Sequence, residues 1–241
     1  MAKPRKSYAL WITLWVLRGL GVAVVFSVCA LVIWRSFISN IPPSAMDELQ
    51  PNRPLAEAFD THGEALVTFY QEEGTMTRGE HNYGYFGVTR AVFVPEAGQL
   101  QVVVRYNNST LTAIQNDKGL EQKPPKGEKI LDVTLLKVVD LTPEDTSDNL
   151  DGSPNLGKVR LQPTGEPLIE TTLLYTYCLY TFDGVTLDDG TIAAFADIYY
   201  LGDVDYNAEP YGTLRVYHVE STKIYASLDG DEIEALENYG K

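Results

Sequence analysis

Few residues of this sequence have the types and spacing that metal binding requires. The strongest candidate is the acidic run 144–152, because Ca²⁺ takes about six to eight oxygens from closely spaced carboxylates and carbonyls. Its carboxylates include three aspartates at intervals of three residues, namely Asp145, Asp148 and Asp151. The EF-hand register fails, since Gly152 at the sixth loop position would put Lys158 at the twelfth. We therefore interpret the run as a solvated acidic turn and predict no metal and no cofactor.

The histidines and cysteines also form no recognisable catalytic motif. His62, His81 and His218 fit neither a G-x-S-x-G nor an H-E-x-x-H pattern. Cys178 has no basic residue near it in the sequence to lower its pKa, which favours a buried, inert thiol. Cys29 lies in an apolar run, so a disulfide between the two cysteines is excluded. These observations predict a protein that is not an enzyme.

Charge divides the chain into two unlike parts. Residues 1–40 contain five basic residues and no acidic residue, whereas the whole chain has a net charge of −14. The remaining 201 residues therefore carry −19. Such asymmetry is typical of a chain whose two parts meet different surroundings. The acidic balance excludes nucleic acid as the main partner, because phosphate binding needs a basic face.

The basic part contains a predicted transmembrane helix over 8–38. A bilayer core of about 30 Å requires about 20 helical residues, and residues 8–34 are almost all apolar. Trp15 and Trp34 are 19 residues apart, which a helix converts to roughly 28 Å. Tryptophan favours the membrane interface, and arginine extends its charged end toward the headgroups. The predicted interface residues are Trp11, Trp15, Arg18, Trp34 and Arg35.

A cleaved signal peptide is the competing interpretation of this segment. Its apolar region would be about 7 to 15 residues long and would end at small residues, whereas this run is longer and Pro43 lies at the nearest small-residue site. We therefore favour an uncleaved anchor in the lipid bilayer. Three basic residues lie in the tail 1–7 and none in the 15 residues after Arg35, which predicts a cytoplasmic N-terminus. The C-terminal domain is then extracytoplasmic.

Small residues recur on one face of the predicted helix. Gly19, Ala23 and Ser27 are spaced four apart, a pattern that lets two helices approach closely and form a homodimer. Small residues are also common in membrane spans that do not pair. The pattern therefore leaves helix pairing open.

The acidic part predicts a stalk followed by a mainly β domain. Residues 39–54 contain four prolines and are interpreted as an extended stalk. The domain is predicted over 55–241, with a brief helix near 55–59 and a short helix within 229–241. About eight runs of alternating residues separated by turns indicate an antiparallel β-sandwich, with immunoglobulin-like topology favoured. No long amphipathic helix lies between the runs, which excludes a parallel α/β fold.

Individual strands are predicted from the alternation. In 99–106, Leu100 and Val102 face the core while Gln99 and Gln101 face outward. In 213–218, His218 shares a face with the apolar residues and Tyr217 does not. Residues 171–182, apolar on both faces, predict one central strand. The polar segments 115–129 and 142–167 are predicted to be loops.

Three stretches carry a family resemblance: VVVRYNNSTL at 102–111, LLYTYCLYTFDGVTLDDGT at 173–191 and YYLGDVDYNAEPYGTLRVY at 199–217. With the basic start, they resemble uncharacterised single-pass envelope proteins of Gram-positive bacteria. The resemblance implies topology and compartment and assigns no catalytic residue. The first stretch also contains two overlapping N-glycosylation sequons at 107–110, which have no consequence in a bacterial host.

The sequence favours a membrane-anchored, extracytoplasmic binding module for an envelope protein or a wall polymer. Two alternatives stay open. One is an anchored cell-wall hydrolase, because 33 acidic residues leave room for a catalytic carboxylate pair. The other is a structural or regulatory envelope subunit that signals through pairing of its helix.

Overall fold

The computed structural model describes residues 8–36, 41–71, 77–78, 85–141, 156–187, 190–201 and 210–241. The chain divides into two compact units, Met1–Ile41 and Pro42–Lys241. The α-helices in the described ranges are α1 (Tyr8–Ser36), α2 (Arg53–His62), α3 (Thr110–Lys118) and α4 (Gly230–Glu237). The strands in the same ranges are β1 (Thr68–Gln71), β2 (Thr77–Arg78), β3 (Tyr85–Val94), β4 (Gln99–Asn107), β5 (Leu131–Asp140), β6 (Leu156–Leu161), β7 (Leu168–Thr171), β8 (Tyr175–Asp183), β9 (Thr191–Tyr200), β10 (Gly212–His218) and β11 (Lys223–Ala226).

The first unit contains the predicted apolar helix. Within α1, the 25 residues Trp11–Arg35 are long and apolar enough to cross a membrane, and none is buried inside the protein. A helix that is apolar on every face needs an apolar environment around it. A signal sequence near an N-terminus can pass the same test of length and hydropathy, so the structure establishes an apolar helix that is long enough to span.

The second unit is built from two antiparallel sheets. The larger has seven strands in the order β11-β1-β3-β4-β8-β7, with β2 paired to β3, and the smaller has the order β10-β9-β5-β6. Every described strand pair is antiparallel, as the alternating sequence predicts. The consecutive strands β3–β4, β5–β6, β7–β8 and β9–β10 pair with each other, and the β3–β4 hairpin turns at Gly98, whose φ of 56° favours glycine.

One hydrophobic core is shared by the two sheets. Alternate residues of β4 face it, and Val102, Val104 and Tyr106 are at most 1% exposed. They belong to the same cluster as Leu135 of β5 and Ile198 of β9. Burial of this many large apolar side chains is the main source of stability for a domain that has no disulfide among its described residues.

The segment predicted as a stalk differs from that expectation. Residues 39 and 40 lie outside the described ranges, but the second unit already begins at Pro42. Met46 and Leu49 are 1% and 4% exposed and belong to two small hydrophobic clusters on the outer face of the larger sheet. The segment contains a short 3-10 helix, Ser44–Met46, and its two apolar side chains pack against the sheet. The folded unit therefore starts before residue 55.

That packing buries Gln99 and Gln101, although the face of β4 predicted for them is correct. Each is only 1% exposed. They do point away from the shared core, but Gln50 and Asn52 cover them and form hydrogen bonds with them. Alternation identified the correct face of β4 and could not show that another segment covers it.

Several predicted elements are confirmed with altered limits. The helices near 55–59 and within 229–241 are present as α2 and α4, and the side chain of Asn52 or Asp229 caps their first turns. The predicted central strand 171–182 is present as β8, which lies inside the sheet, but it begins at Tyr175, and Thr171 instead ends β7. Helix α3 begins within a stretch assigned no helix and covers the start of the predicted loop 115–129. Strand β6 lies within the predicted loop 142–167, of which residues 142–155 are outside the described ranges.

A β-bulge changes the predicted faces at the end of β10. The register shifts between Arg215 and Tyr217, where the bulge adds a residue to β10. Tyr217 therefore turns into the core and is 2% exposed, whereas the prediction placed it outside. His218, predicted to lie with the apolar residues, is only half-buried.

Candidate functional site

The predicted interface residues all lie on α1 and are exposed. Trp11 and Trp15 are each 58% exposed, and their ring centroids are 5.7 Å apart. Arg18 lies one turn further along the helix, and Trp34 and Arg35 lie near its other end. These side chains are therefore not packed within the protein, as a position at the membrane interface requires.

The small residues Gly19, Ala23 and Ser27 are also exposed on α1. A Cβ atom built on Gly19 meets no atom within 4 Å. A second helix therefore has access to this face, and helix pairing stays a prediction.

The predicted metal candidates Asp145, Asp148 and Asp151 lie outside the described residues, as does His81. Within the described ranges, no group of three or more His, Cys, Asp or Glu side chains is arranged to hold a metal ion. His62 is exposed at the end of α2, and His218 Nδ1 accepts a hydrogen bond of 3.2 Å from the backbone N–H of Glu220. The structure does not bring these two histidines into a shared site.

Cys178 is buried in β8, as the sequence predicts for an inert thiol. It is 4% exposed, and burial raises the pKa of its thiol to about 12. Burial also raises the pKa of the neighbouring Tyr180, whose hydroxyl donates a 3.0 Å hydrogen bond to the Leu131 carbonyl. Both groups stay protonated at neutral pH, and the hydrogen bond of Tyr180 links the two sheets.

A groove lies between the two sheets, where their edge strands β10 and β11 come together. Its volume is about 270 Å³, and its lining comes from β5, β9, β10, β11 and the segment joining β8 to β9. The side chains that give it chemical character are Asp140, Leu187, Ile192, Tyr217 and Lys223. The groove thus combines a carboxylate, an ammonium group and apolar surface, which are the components of a small-ligand site.

Lys223 is the positioned cation of this groove. Its Nζ lies 5.0 Å from the ring centroid of Phe69 and 5.8 Å from that of Tyr217, within the range of cation–π attraction. The Tyr217 hydroxyl donates a 3.2 Å hydrogen bond to the carbonyl of Leu187, which holds the ring in place. The sequence did not indicate this site, because Asp140 and Lys223 are 83 residues apart and belong to no local motif.

Gly190 shapes the groove through its backbone. It has a φ of +67°, and an added Cβ would lie 3.1 Å from the carbonyl oxygen of Asp140. Its own carbonyl accepts a 2.8 Å hydrogen bond from the N–H of Asp140. The close approach and the left-handed conformation both require glycine.

We expect Gly190→Ala to lower the free energy of unfolding by about 2 kcal/mol, through backbone strain and the close contact. The matched control is Gly184→Ala, because Gly184 has a φ of +68° but no atom within 4 Å of the added Cβ. The control should lose only about 1 kcal/mol, from backbone strain alone. Urea unfolding measures both variants, and equal losses would contradict a close contact at Gly190.

A second polar cluster lies on the outer face of the smaller sheet. Arg160 Nη1 donates to Asp197 Oδ2 at 2.7 Å, to Thr134 Oγ1 at 2.9 Å and to the Tyr199 hydroxyl at 3.1 Å. The other carboxylate oxygen of Asp197 accepts a 2.9 Å hydrogen bond from Thr213. Asp197 is buried and both its oxygens are bonded, so the cluster has the character of a structural network.

No protein-family model, no curated protein and no solved structure matches this chain.

Proposed function

We propose that this protein is a single-pass membrane protein whose extracytoplasmic domain binds a component of the cell envelope. The observation that carries the proposal is an apolar helix, exposed over its 25-residue window, joined in sequence to an acidic two-sheet domain. The basic residues before the helix favour a cytoplasmic N-terminus. The domain then meets the wall side of the membrane.

An immunoglobulin-like topology belongs to this proposal, and the strand order supports it. In that topology, strands A, B, E and D form one sheet, and G, F and C, extended by C′, form the other. Assigning β3 to β10 as A, B, C, C′, D, E, F and G reproduces both neighbour orders, β3-β4-β8-β7 and β10-β9-β5-β6. The assigned B and F strands contain no cysteine and the assigned C strand no tryptophan, so the hallmarks of antibody domains are absent.

The groove at Lys223 is the proposed binding site. Ligand pockets usually measure about 300–1,000 Å³, so a groove of about 270 Å³ suits one terminal unit of a larger molecule. Its ammonium, carboxylate and aromatic surface fit a unit that carries both charged and apolar parts. A fragment of a wall polymer is the favoured ligand, and an envelope protein is the alternative.

Binding can be tested with the full chain in lipid nanodiscs and soluble wall-polymer fragments. We expect Lys223→Gln to weaken binding about tenfold or more, because the ligand loses a charge-assisted contact. Lys158→Gln is the control, since Lys158 is exposed on β6. Circular dichroism confirms that both variants are folded. Absence of binding by the parent, or equal binding by the two variants, would exclude this ligand at this groove.

The orientation can be tested with the sequons that the chain already carries. We expect one N-glycan on the full chain when it is translated into eukaryotic microsomes, because an exported domain meets the glycosylation machinery. The expected acceptor is Asn107, which is half-buried. The side-chain amide of Asn108 donates to the carbonyls of Thr172 and Leu173, and that residue is only 6% exposed.

Two controls make this test decisive. Asn107→Gln should remove the glycan, and a sequon appended after Lys241 reports the side of the membrane independently. If only the appended sequon is modified, Asn107 is a poor acceptor and the proposed orientation is still supported. A chain that carries no glycan at Asn107 or at the appended sequon would show the opposite orientation in the membrane.

A further inference from the structure

We propose that residues 44–52 form a releasable strap, which leaves the outer face of the larger sheet while the two-sheet core stays folded. The side chain of Glu232 in α4 holds this strap through a hydrogen bond with Leu49. The inference concerns the second unit alone and does not depend on the orientation or the ligand proposed above.

Side chains hold the strap backbone in place of a strand partner. Glu232 Oε1 accepts a 3.0 Å hydrogen bond from the N–H of Leu49, while Arg90 donates to the carbonyl of Glu48 at 2.9 Å. The amide of Gln101 is bonded to both backbone groups of Gln50, at 3.0 and 2.9 Å. Three side chains thus replace the ladder that a neighbouring strand would provide.

Glu232 has a second role that connects the strap to α4. Its Oε2 accepts a 3.1 Å hydrogen bond from the N–H of Asp229, which completes the capping box at the start of α4. Arg90 Nη2 lies 3.8 Å from its Oε1, and both side chains are almost fully buried. One carboxylate therefore bonds both the strap and the first turn of α4.

The far end of the strap is fastened by a pair of amides. Asn52 Nδ2 donates to Gln99 Oε1 at 2.9 Å, and Gln99 Nε2 donates back to Asn52 Oδ1 at 3.0 Å. Gln99 also donates to Asp183 Oδ1 at 2.6 Å. When the strap is released, water can form hydrogen bonds with these polar groups. Exposing them therefore costs less free energy than exposing an apolar surface of the same size.

The apolar contacts of the strap belong to two small clusters. Met46 packs with Val103, Tyr177 and Leu179, and Leu49 packs in the cluster that includes Leu55 and Leu236. The shared core is a separate and much larger cluster that contains no strap residue. Backbone bonds within the strap are local, as from Met46 to Pro43 and from Asp47 to Ser44. Release therefore breaks no strand pairing in the described sheets.

Hydrogen exchange of the full chain in nanodiscs, with residue-level fragmentation, tests the strap. In the parent, the Leu49 and Gln50 amides should exchange through an opening that depends little on denaturant, because local release exposes little surface. Amides of β4 and β8 should exchange only by global unfolding. Glu232→Gln should speed exchange at Leu49 and Gln50 about tenfold, because a neutral acceptor binds more weakly than a charged one.

The matched control is Glu234→Gln, since Glu234 lies on the same helix and is exposed. It should leave exchange in the strap within about twofold of the parent. Two outcomes would overturn the proposal. One is exchange of Leu49 and Gln50 in the parent with the same rate and denaturant slope as β4. The other is an equal acceleration of the strap, β4 and β8 in Glu232→Gln. The parent measurement decides the question even where the variant folds poorly.

Discussion

Cys178 should react with a thiol reagent such as iodoacetamide at least about a hundredfold more slowly in the folded protein than in the unfolded chain. The thiolate is the reactive species, and burial raises the pKa of this thiol from about 9 to about 12. At pH 8 the thiolate population therefore falls by about a thousandfold. The neighbouring strands β4 and β7 also restrict the approach of the reagent.

The measurement uses the Cys29→Ser variant, so that Cys178 is the only thiol. Mass spectrometry follows modification at pH 8 with and without 8 M urea, and the urea sample is the control for intrinsic reactivity. A folded-state rate within tenfold of the unfolded rate would contradict a thiol sealed in the core.

The same raised pKa gives the pH dependence of stability. A group whose pKa is higher in the folded state favours folding while it is protonated, below the unfolded value of about 9. That contribution is lost as the pH rises from about 9 toward 12. Cys178→Ala should therefore lose less stability than its parent over that range, in parallel urea titrations.

Arg160→Met should lower the free energy of unfolding by about 2–3 kcal/mol. The substitution removes the three hydrogen bonds that Arg160 Nη1 donates. The carboxylate of Asp197, which is 3% exposed, then keeps its hydrogen bond from Thr213 but loses its cationic partner. Removing one partner of a buried ion pair costs about 3–5 kcal/mol when both groups are sealed from water. The side chain of Arg160 is 24% exposed, which reduces the expected loss.

Urea unfolding measures this loss, with two companion variants. Lys158→Met changes an exposed cation on the same strand and should alter stability by less than about 0.5 kcal/mol. Arg160→Met with Asp197→Asn should be more stable than Arg160→Met alone, because no unpaired carboxylate is then buried. A double variant that is less stable than the single one would show that Asp197 finds other partners.

Predictions from the sequence succeeded where the signal is local. The apolar helix follows from an uninterrupted run of apolar residues, and the β class follows from alternation along short segments. The C-terminal helix follows from acidic residues at its start, and the structure adds the capping box of Asp229 and Glu232.

Predictions failed where a distant segment changes the surroundings of a residue. Gln99 and Gln101 alternate as solvent-facing residues should, and they are buried because Gln50 and Asn52 cover them. Tyr217 is buried because a bulge shifts the faces of β10. The proline-rich stretch predicted as a stalk packs through Met46 and Leu49, a contact that its composition does not indicate.

The candidate groove could not be predicted for the same reason. Its two charged residues come from β5 and β11, which belong to different sheets, and no spacing rule relates them. Asp145, Asp148 and Asp151, which were considered as metal ligands and interpreted as a solvated acidic turn, lie outside the described ranges.

The sequence by itself therefore determined an apolar N-terminal helix, an acidic mainly β domain and the positions of most strands. These properties depend on each residue and its near neighbours, which periodicity and composition record. Only the tertiary structure decided where the folded unit begins, which polar side chains are buried, and which residues meet in the groove and in the strap. Those outcomes depend on contacts between residues far apart in the chain, and no local pattern specifies such contacts.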